Sequence, residues 1–136
     1  CVTRRQRQMC IRDRYVDYYN FEDVMVLSLT PAGGLDWYNV IPKMQLSKED
    51  RGRNSSYCVV NSRGQLNLIF NENISANTNV IQYKLTAEGE LDRKSLFNSR
   101  QEEVMLIPNE AQQVSGNELV IPSLYRTQLA FVKITY

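Results

Sequence analysis

Hydrophobic and polar residues alternate along most of the chain at the spacing of β-strands. Residues 23–30 and 35–42, DVMVLSLT and LDWYNVIP, form two β-rich runs joined by the segment PAGG. Two such runs around a short Pro- and Gly-containing segment are typical of a β-hairpin. Both faces of the first run are largely apolar, which predicts a strand packed between neighbouring layers rather than a surface strand.

A second hairpin is predicted after the polar loop 43–54. The runs SSYCVVNS and QLNLIFNE flank Arg63 and Gly64, and glycine readily adopts the positive φ that a tight hairpin turn requires. The best helical candidate is 99–110. Its apolar run 104–107 is followed by Pro108, a pattern that favours a strand ending at a turn. We therefore predict no helix of ordinary length.

Both hairpins recur later in the chain. At one constant offset, Leu29, Thr30, Gly33, Leu35 and Asp36 recur as Leu85, Thr86, Gly89, Leu91 and Asp92. The second hairpin, 58–70, aligns with 121–133 at a slightly larger offset. The difference between the two offsets falls in the connection 108–113, where an insertion changes the loop entropy little. The sequence therefore predicts two four-stranded repeats, residues 15–78 and 79–136.

Four-stranded units that recur at a spacing of about 50–60 residues are typical of β-propeller blades. We therefore expect an all-β fold made of two four-stranded antiparallel blades of a partial β-propeller. Because a propeller closes with about four to eight blades, the missing N-terminal blades of the same chain would be partners of this fragment. The alternative is a β-sandwich, which would bury its own core within this length.

Basic residues are concentrated near the start, where residues 4–14 read RRQRQMCIRDR without strand or helical periodicity. This stretch resembles the in-frame translation of a transposon adapter used to prepare sequencing libraries. We expect residues 1–14 to be an artefactual, disordered leader, and we predict no nucleic-acid partner. The remaining residues, 15–136, carry 11 basic and 14 acidic side chains. Their single cysteine is Cys58, and a lone cysteine in a strand is usually buried as a small hydrophobic residue.

The order of motifs in residues 15–136 resembles that of uncharacterised exported proteins of Bacteroidota with propeller-like repeats. The motifs are LT-x-x-G-x-L-D-W, I-P-K-x-Q, SSY and LIFN-x-N. The residues that carry them are Leu35, Asp36, Trp37, Ile41, Pro42, Lys43, Gln45, Ser55, Ser56, Tyr57, Leu68, Ile69, Phe70, Asn71 and Asn73. The resemblance implies a natural C-terminus at FVKITY and a periplasmic or extracellular location. It implies no particular activity.

No catalytic machinery is visible in the sequence. It contains no His, which excludes Ser-His-Asp catalysis, Cys-His catalysis and His-ligated zinc within these residues. Glycine-rich phosphate-binding loops are also absent. The acidic pairs at 49–50 and 102–103 are sequence neighbours, which point apart on a strand and are solvated on a loop. We predict no catalytic residue, no metal site, no cofactor and no membrane span, since the apolar runs are short.

Candidate binding residues lie beside the first turn and in the polar loop. Trp37 and Tyr38 are candidates for stacking on a sugar, although a Trp after a tight turn more commonly packs between blades. Loops on a rigid scaffold often carry recognition. The polar-loop candidates are Lys43, Gln45, Glu49, Asp50 and Arg51.

We expect a non-catalytic binding or scaffolding module for a protein or glycan, from an exported β-propeller protein. The alternative is a fragment of a carbohydrate-active propeller enzyme with its catalytic residues on the missing blades. Both functions rest on analogy with repeat rings that present loops on one face.

Overall fold

The computed structural model describes residues 15–75 and 79–136. The strands are β1 (Tyr18–Phe21), β2 (Val24–Leu29), β3 (Leu35–Ile41), β4 (Gln45–Lys48), β5 (Cys58–Ser62), β6 (Gln65–Asn71), β7 (Asn79–Leu85), β8 (Leu91–Asn98), β9 (Gln112–Ser115), β10 (Glu118–Tyr125) and β11 (Gln128–Thr135). A 3-10 turn at Pro108–Glu110 is the one helical element of the described residues, which confirms the all-β prediction. Nothing helical in this part of the chain is long and apolar enough to cross a bilayer. The leader predicted at 1–14 lies outside the described residues.

The strands of the described residues form four antiparallel sheets. Strands β5 to β8 make a four-stranded meander, β9 to β11 a three-stranded sheet centred on β10, and β2–β3 and β1–β4 two-stranded sheets. The repeat boundary expected at 78/79 lies inside the meander, because β6 and β7 pair from Leu66–Leu85 to Asn71–Val80. The observed sheets therefore divide the chain differently from the expected repeats. Local patterns identify each hairpin, whereas non-local packing determines which hairpins share a sheet.

The meander β5–β8 lies between two layers, and its central strands β6 and β7 are buried on both faces. One face packs under the hairpin β2–β3, in a cluster made of Val24, Ile41, Leu68, Phe70, Ile81 and Tyr83. The other face packs against the β9–β11 sheet, in a cluster made of Cys58, Val60, Ile69, Val80, Leu106, Leu119 and Ile121. Because successive strand residues point to opposite faces, a strand between two layers needs consecutive apolar side chains. The run LIF at 68–70 meets that need.

The hairpin β2–β3 is buried on one face only, so the prediction of a strand packed on both sides was wrong for β2. Its outer face consists of three cross-strand pairs: Met25–Val40, Leu27–Tyr38 and Leu29–Leu35. These six side chains are 43–63% exposed. Both faces of β2 are largely apolar, as the alternation predicts, but the described residues contain no layer that covers the outer face.

The two duplicated turns have the same conformation. In the first, the Thr30 N–H donates to the Gly34 carbonyl at 2.8 Å, and Thr30 Oγ1 accepts from the Gly34 N–H at 3.0 Å. In the second, Thr86 makes the same two hydrogen bonds with Glu90, at 3.0 and 3.2 Å. The glycine before the last residue of each turn has a φ of +83° or +88°. The offset between the two sequence copies therefore relates two turns of one geometry.

Candidate functional site

Trp37 connects the hairpin β2–β3 to the turn between β7 and β8. Its indole N–H donates to the Ala87 carbonyl at 3.0 Å, and the Asn39 side-chain amide donates to the Gly89 carbonyl at 2.7 Å. A β-carbon built on Gly89 would lie 2.8 Å from Cδ2 of Trp37. The indole ring is therefore held against backbone, which removes one of its faces from any sugar-stacking role.

Tyr38 does not share a platform with Trp37. Neighbouring residues of a strand point to opposite faces, and Tyr38 belongs to the outer face, where it is 61% exposed. Its cross-strand partner is Leu27. The structure thus separates the two aromatic candidates that the sequence placed side by side.

Lys43 and Gln45, two of the polar-loop candidates, are buried. Lys43 is 5% exposed and Gln45 is 0% exposed. The Lys43 Nζ donates to Gln45 Oε1 at 3.0 Å and lies 5.3 Å from the centre of the Phe21 ring. Burial lowers the pKa of Lys43, and the nearby Asp23 carboxylate acts in the opposite direction. Because these side chains are enclosed by their own fold, their first role is structural.

Gln45 and Asn71 form a buried amide network. The Gln45 side chain donates to the Asn71 carbonyl and accepts from the Ser56 N–H at 2.8 Å. The Asn71 amide donates to the carbonyls of Asn54 and Leu106 at 2.8 and 2.9 Å, and its Oδ1 accepts from the Leu106 N–H at 3.3 Å. The network joins the polar loop to the segment before β9. Buried polar groups require such partners.

Glu49, Asp50 and Arg51 lie together in the tip of the polar loop. Glu49 and Arg51 have positive φ values of 53° and 59°, and Asp50 Oδ1 accepts from the Gly52 N–H at 2.9 Å. They line a cavity of about 310 Å³ with Arg53, Asn54 and Leu124. This volume is at the lower end of ligand pockets. The tip is separate from the buried Lys43 and Gln45.

A second cavity, of about 430 Å³, lies where β2–β3 meets the meander. Its polar lining includes Asp23, Lys43, Glu72 and Arg93. Arg93 donates to Glu72 Oε1, and the Asn79 amide donates to Glu72 Oε2 at 3.0 Å. These residues come from distant segments, so no motif in the sequence indicated them. The one available signal was that Arg93 occupies, in the second copy of the first hairpin, the position of Trp37.

A further apolar surface lies on the opposite side of the molecule. Leu129 and Phe131 of β11 are 64% and 68% exposed, and Val114 of β9 is 56% exposed. Phe131 and Val114 line an open groove of about 490 Å³ with Glu110, Gln112, Val120 and Pro122. Since β2–β3 and the β9–β11 sheet cover opposite faces of the meander, their outer faces point in opposite directions.

Within residues 15–75 and 79–136, no group of three or more Cys, Asp or Glu side chains lies close enough together to hold a metal ion. Comparison of the chain with protein-family models, with curated proteins and with solved structures gives no match. Function is therefore inferred from the geometry of these surfaces.

Proposed function

We propose that the chain is a non-catalytic binding or scaffolding module of an exported β-propeller protein. The observation that carries this proposal is the outer face of β2–β3, whose six large hydrophobic side chains are 43–63% exposed. Soluble proteins rarely leave a contiguous apolar face uncovered unless it is an interaction site. The resemblance to exported proteins of Bacteroidota is the basis for the periplasmic or extracellular part of the proposal.

The packing of β2–β3 on the meander supports the propeller architecture. Val24 faces the meander, and Val80, its equivalent in the second copy of the hairpin, faces the next layer. Equivalent residues of the two hairpins therefore point in the same direction through the stack. Blades that succeed one another around a ring have this relationship.

The other junction supports the alternative architecture, a β-sandwich. Cys58 and Ile121 are equivalent in the two copies of the second hairpin, yet both belong to the one cluster between β5–β8 and β9–β11. Equivalent faces here point towards each other, as do the inner faces of two sheets in a sandwich. In either architecture the outer face of β2–β3 is an interaction surface, for a separate partner in the sandwich and for a neighbouring blade in the propeller.

Sedimentation velocity and binding of the dye anilinonaphthalene sulfonate (ANS) test the proposal. We expect the full chain to bind the dye and to self-associate across the micromolar range, because apolar surface is removed from water on association. Leu27→Lys should reduce both effects, whereas Asn109→Lys, which adds the same charge in the exposed part of the 3-10 turn, should leave them unchanged. A wild-type chain that stays monomeric and binds no dye would contradict the proposal.

The alternative function, part of a carbohydrate-active enzyme, has weaker support. The cavity beside Arg93 contains the Asp23 and Glu72 carboxylates, but both oxygens of Glu72 already accept hydrogen bonds. Because this alternative places the catalytic residues on other blades, turnover of chromogenic glycosides by a longer protein that includes those blades, and not by this chain alone, would favour the enzyme. No turnover by either protein is expected from the binding module.

A further inference from the structure

The turn between β7 and β8 shows what this type of turn can bind. Its Ala87 carbonyl accepts the indole N–H of Trp37, and its Gly89 carbonyl accepts the amide of Asn39, at 3.0 and 2.7 Å. The absence of a side chain at Gly89 admits the indole ring, because a β-carbon there would lie 2.8 Å from it. Two carbonyls and a glycine thus make a receptor for a tryptophan and an asparagine on a neighbouring hairpin.

The turn between β2 and β3 is a copy of this receptor without an occupant among the described residues. It has the same hydrogen bonds between its first and last residues, and Gly33 has a φ of +83° where Gly89 has +88°. The carbonyls equivalent to those of Ala87 and Gly89 belong to Pro31 and Gly33. A β-carbon built on Gly33 would meet no atom within 4 Å.

The strand surface beside each turn shows the same contrast. On β7, Ile81 and Tyr83 are 1% and 6% exposed and pack in the cluster with the β2–β3 hairpin. At the equivalent positions of β2, Met25 and Leu27 are 63% and 54% exposed. The occupied receptor thus combines a turn with a buried apolar strand face, and the empty copy presents the same two parts uncovered.

We propose that the outer face of β2–β3, together with the turn at 30–34, is a docking site for another β-hairpin of the β2–β3 type. The docked hairpin presents a tryptophan indole N–H to the Pro31 carbonyl and a side-chain amide to the Gly33 carbonyl. Its apolar face covers Met25, Leu27 and Leu29. This inference rests on the proposed binding function and specifies the chemistry of the partner.

The occupant is a further hairpin rather than the Trp37 hairpin of a second intact copy. Trp37 and Asn39 of each copy are already engaged by the turn between β7 and β8 of that copy. A second copy would have to release this internal contact in order to dock. A separate hairpin with the same face satisfies the site without that loss.

A head-to-tail cyclic peptide of residues 22–43 is the probe for this site. Titrated into the isotopically labelled full chain below its self-association concentration, it should shift the amide NMR signal of Gly33 and leave that of Gly89 in place. A peptide with Trp37→Ala should bind at least about tenfold more weakly, since buried aromatic anchors dominate such interfaces. A shift at Gly89 instead would mean that the peptide displaces the internal hairpin, and would overturn the proposal.

Two variants of the chain complete the test. Gly33→Val fills the position of the indole ring and Leu27→Asp charges the apolar face, and each should weaken peptide binding by about tenfold or more. Asn109→Lys is the control, and circular dichroism melting verifies that each variant is folded. Dye binding with no peptide binding would reject the hairpin partner and retain the proposed function. A wild-type chain that neither binds the dye nor self-associates would reject the proposed function itself.

Discussion

The ring of Trp37 lies directly against the backbone of Gly89, so that a β-carbon on this glycine would be 2.8 Å from Cδ2 and 2.9 Å from Cγ of the indole. Gly33 has nearly the same φ but no neighbour within 4 Å of its β-carbon position. Substitutions at these two glycines therefore allow the cost of backbone strain to be separated from the cost of crowding by the Trp37 ring.

Gly89→Ala should lower the free energy of unfolding by about 2–4 kcal/mol, the sum of left-handed backbone strain and displacement of a packed ring. Gly33→Ala should lower it by about 1–2 kcal/mol, from backbone strain alone. Urea unfolding followed by circular dichroism measures both. In a chain that already carries Trp37→Ala, Gly89→Ala should lower the free energy of unfolding by little more than Gly33→Ala does. The ring that crowds position 89 is then absent, and the effects of neighbouring substitutions are not additive. If Gly89→Ala and Gly33→Ala lowered the free energy of unfolding equally, the Trp37 ring would not crowd position 89.

Asn71→Ala should lower the free energy of unfolding by about 2–4 kcal/mol, because it removes the hydrogen bonds to the buried Leu106 N–H and to the partly buried Asn54 carbonyl. The Leu106 carbonyl keeps its hydrogen bond from the Asn54 amide. Asn71 is 2% exposed and bonds both residues through its side chain. Asn109→Ala, at an exposed position of the 3-10 turn, is the control and should change stability by less than about 0.5 kcal/mol. Similar urea midpoints for both variants would show that the network contributes little.

The thiol of Cys58 should make stability depend on pH in the alkaline range. Burial raises the pKa of Cys58 from 9.0 to about 12, against weaker opposing effects of backbone hydrogen bonds. Because the folded-state pKa is the higher one, the stabilising contribution is complete below pH 9.0 and is lost as the pH rises towards 12. Cys58→Val should remove this loss.

The measurement compares urea unfolding of both proteins from about pH 7 to about pH 11, with Cys1 and Cys10 replaced by Ser so that Cys58 is the sole thiol. Tyr136, whose pKa is also raised by burial and by Cys58, is present in both proteins, and Cys58→Val removes only the part of its shift that Cys58 causes. The native thiol should react with a thiol reagent only on unfolding, since the thiolate is the reactive form. Parallel pH profiles of the two proteins would contradict the prediction.

Arg63→Asn should raise the free energy of unfolding by about 0.5–1 kcal/mol, because Asn before Gly is the preferred pair for a tight hairpin turn with positive φ. Arg63 and Gly64 form the turn between β5 and β6 with φ values of 54° and 76°. Thermal unfolding measures the gain. Arg100→Asn, at an exposed position without positive φ, is the control and should give no comparable gain.

The sequence was sufficient to predict the hairpins but not their association. Glycines at 33, 64 and 89 marked turns that do have positive φ values, since few other residues adopt that conformation without strain. The pairing of β6 with β7 across the expected boundary was not visible, because alternation records which face of a strand is apolar and not which layer covers it. The same limit explains why β2 was expected to be buried on both faces.

The site residues were harder to predict than the strands. Trp37 and Tyr38 are adjacent in the sequence but point to opposite faces, and Lys43 and Gln45 look solvated until the fold encloses them. Asn71 carried a usable signal: a polar residue that ends the apolar run 68–70 within a strand is either at an edge or hydrogen-bonded in the core. The pairing of Glu72 with Arg93 carried no such signal, because the two residues lie far apart in the sequence and only Arg93 was marked, by its place at the Trp37 position of the second hairpin copy.

The enclosure of β6 between two layers constrains how this chain can diverge. Five consecutive residues of β6, from Asn67 to Asn71, are buried, so that part of the strand has no position at which a charged replacement is accommodated. In β11 only alternate positions towards the end, such as Val132 and Ile134, are partly buried, and substitutions between them meet solvent. Relatives of this protein should therefore share an uninterrupted conserved stretch in β6, whereas in the outer strands the amino acid at every second position should vary.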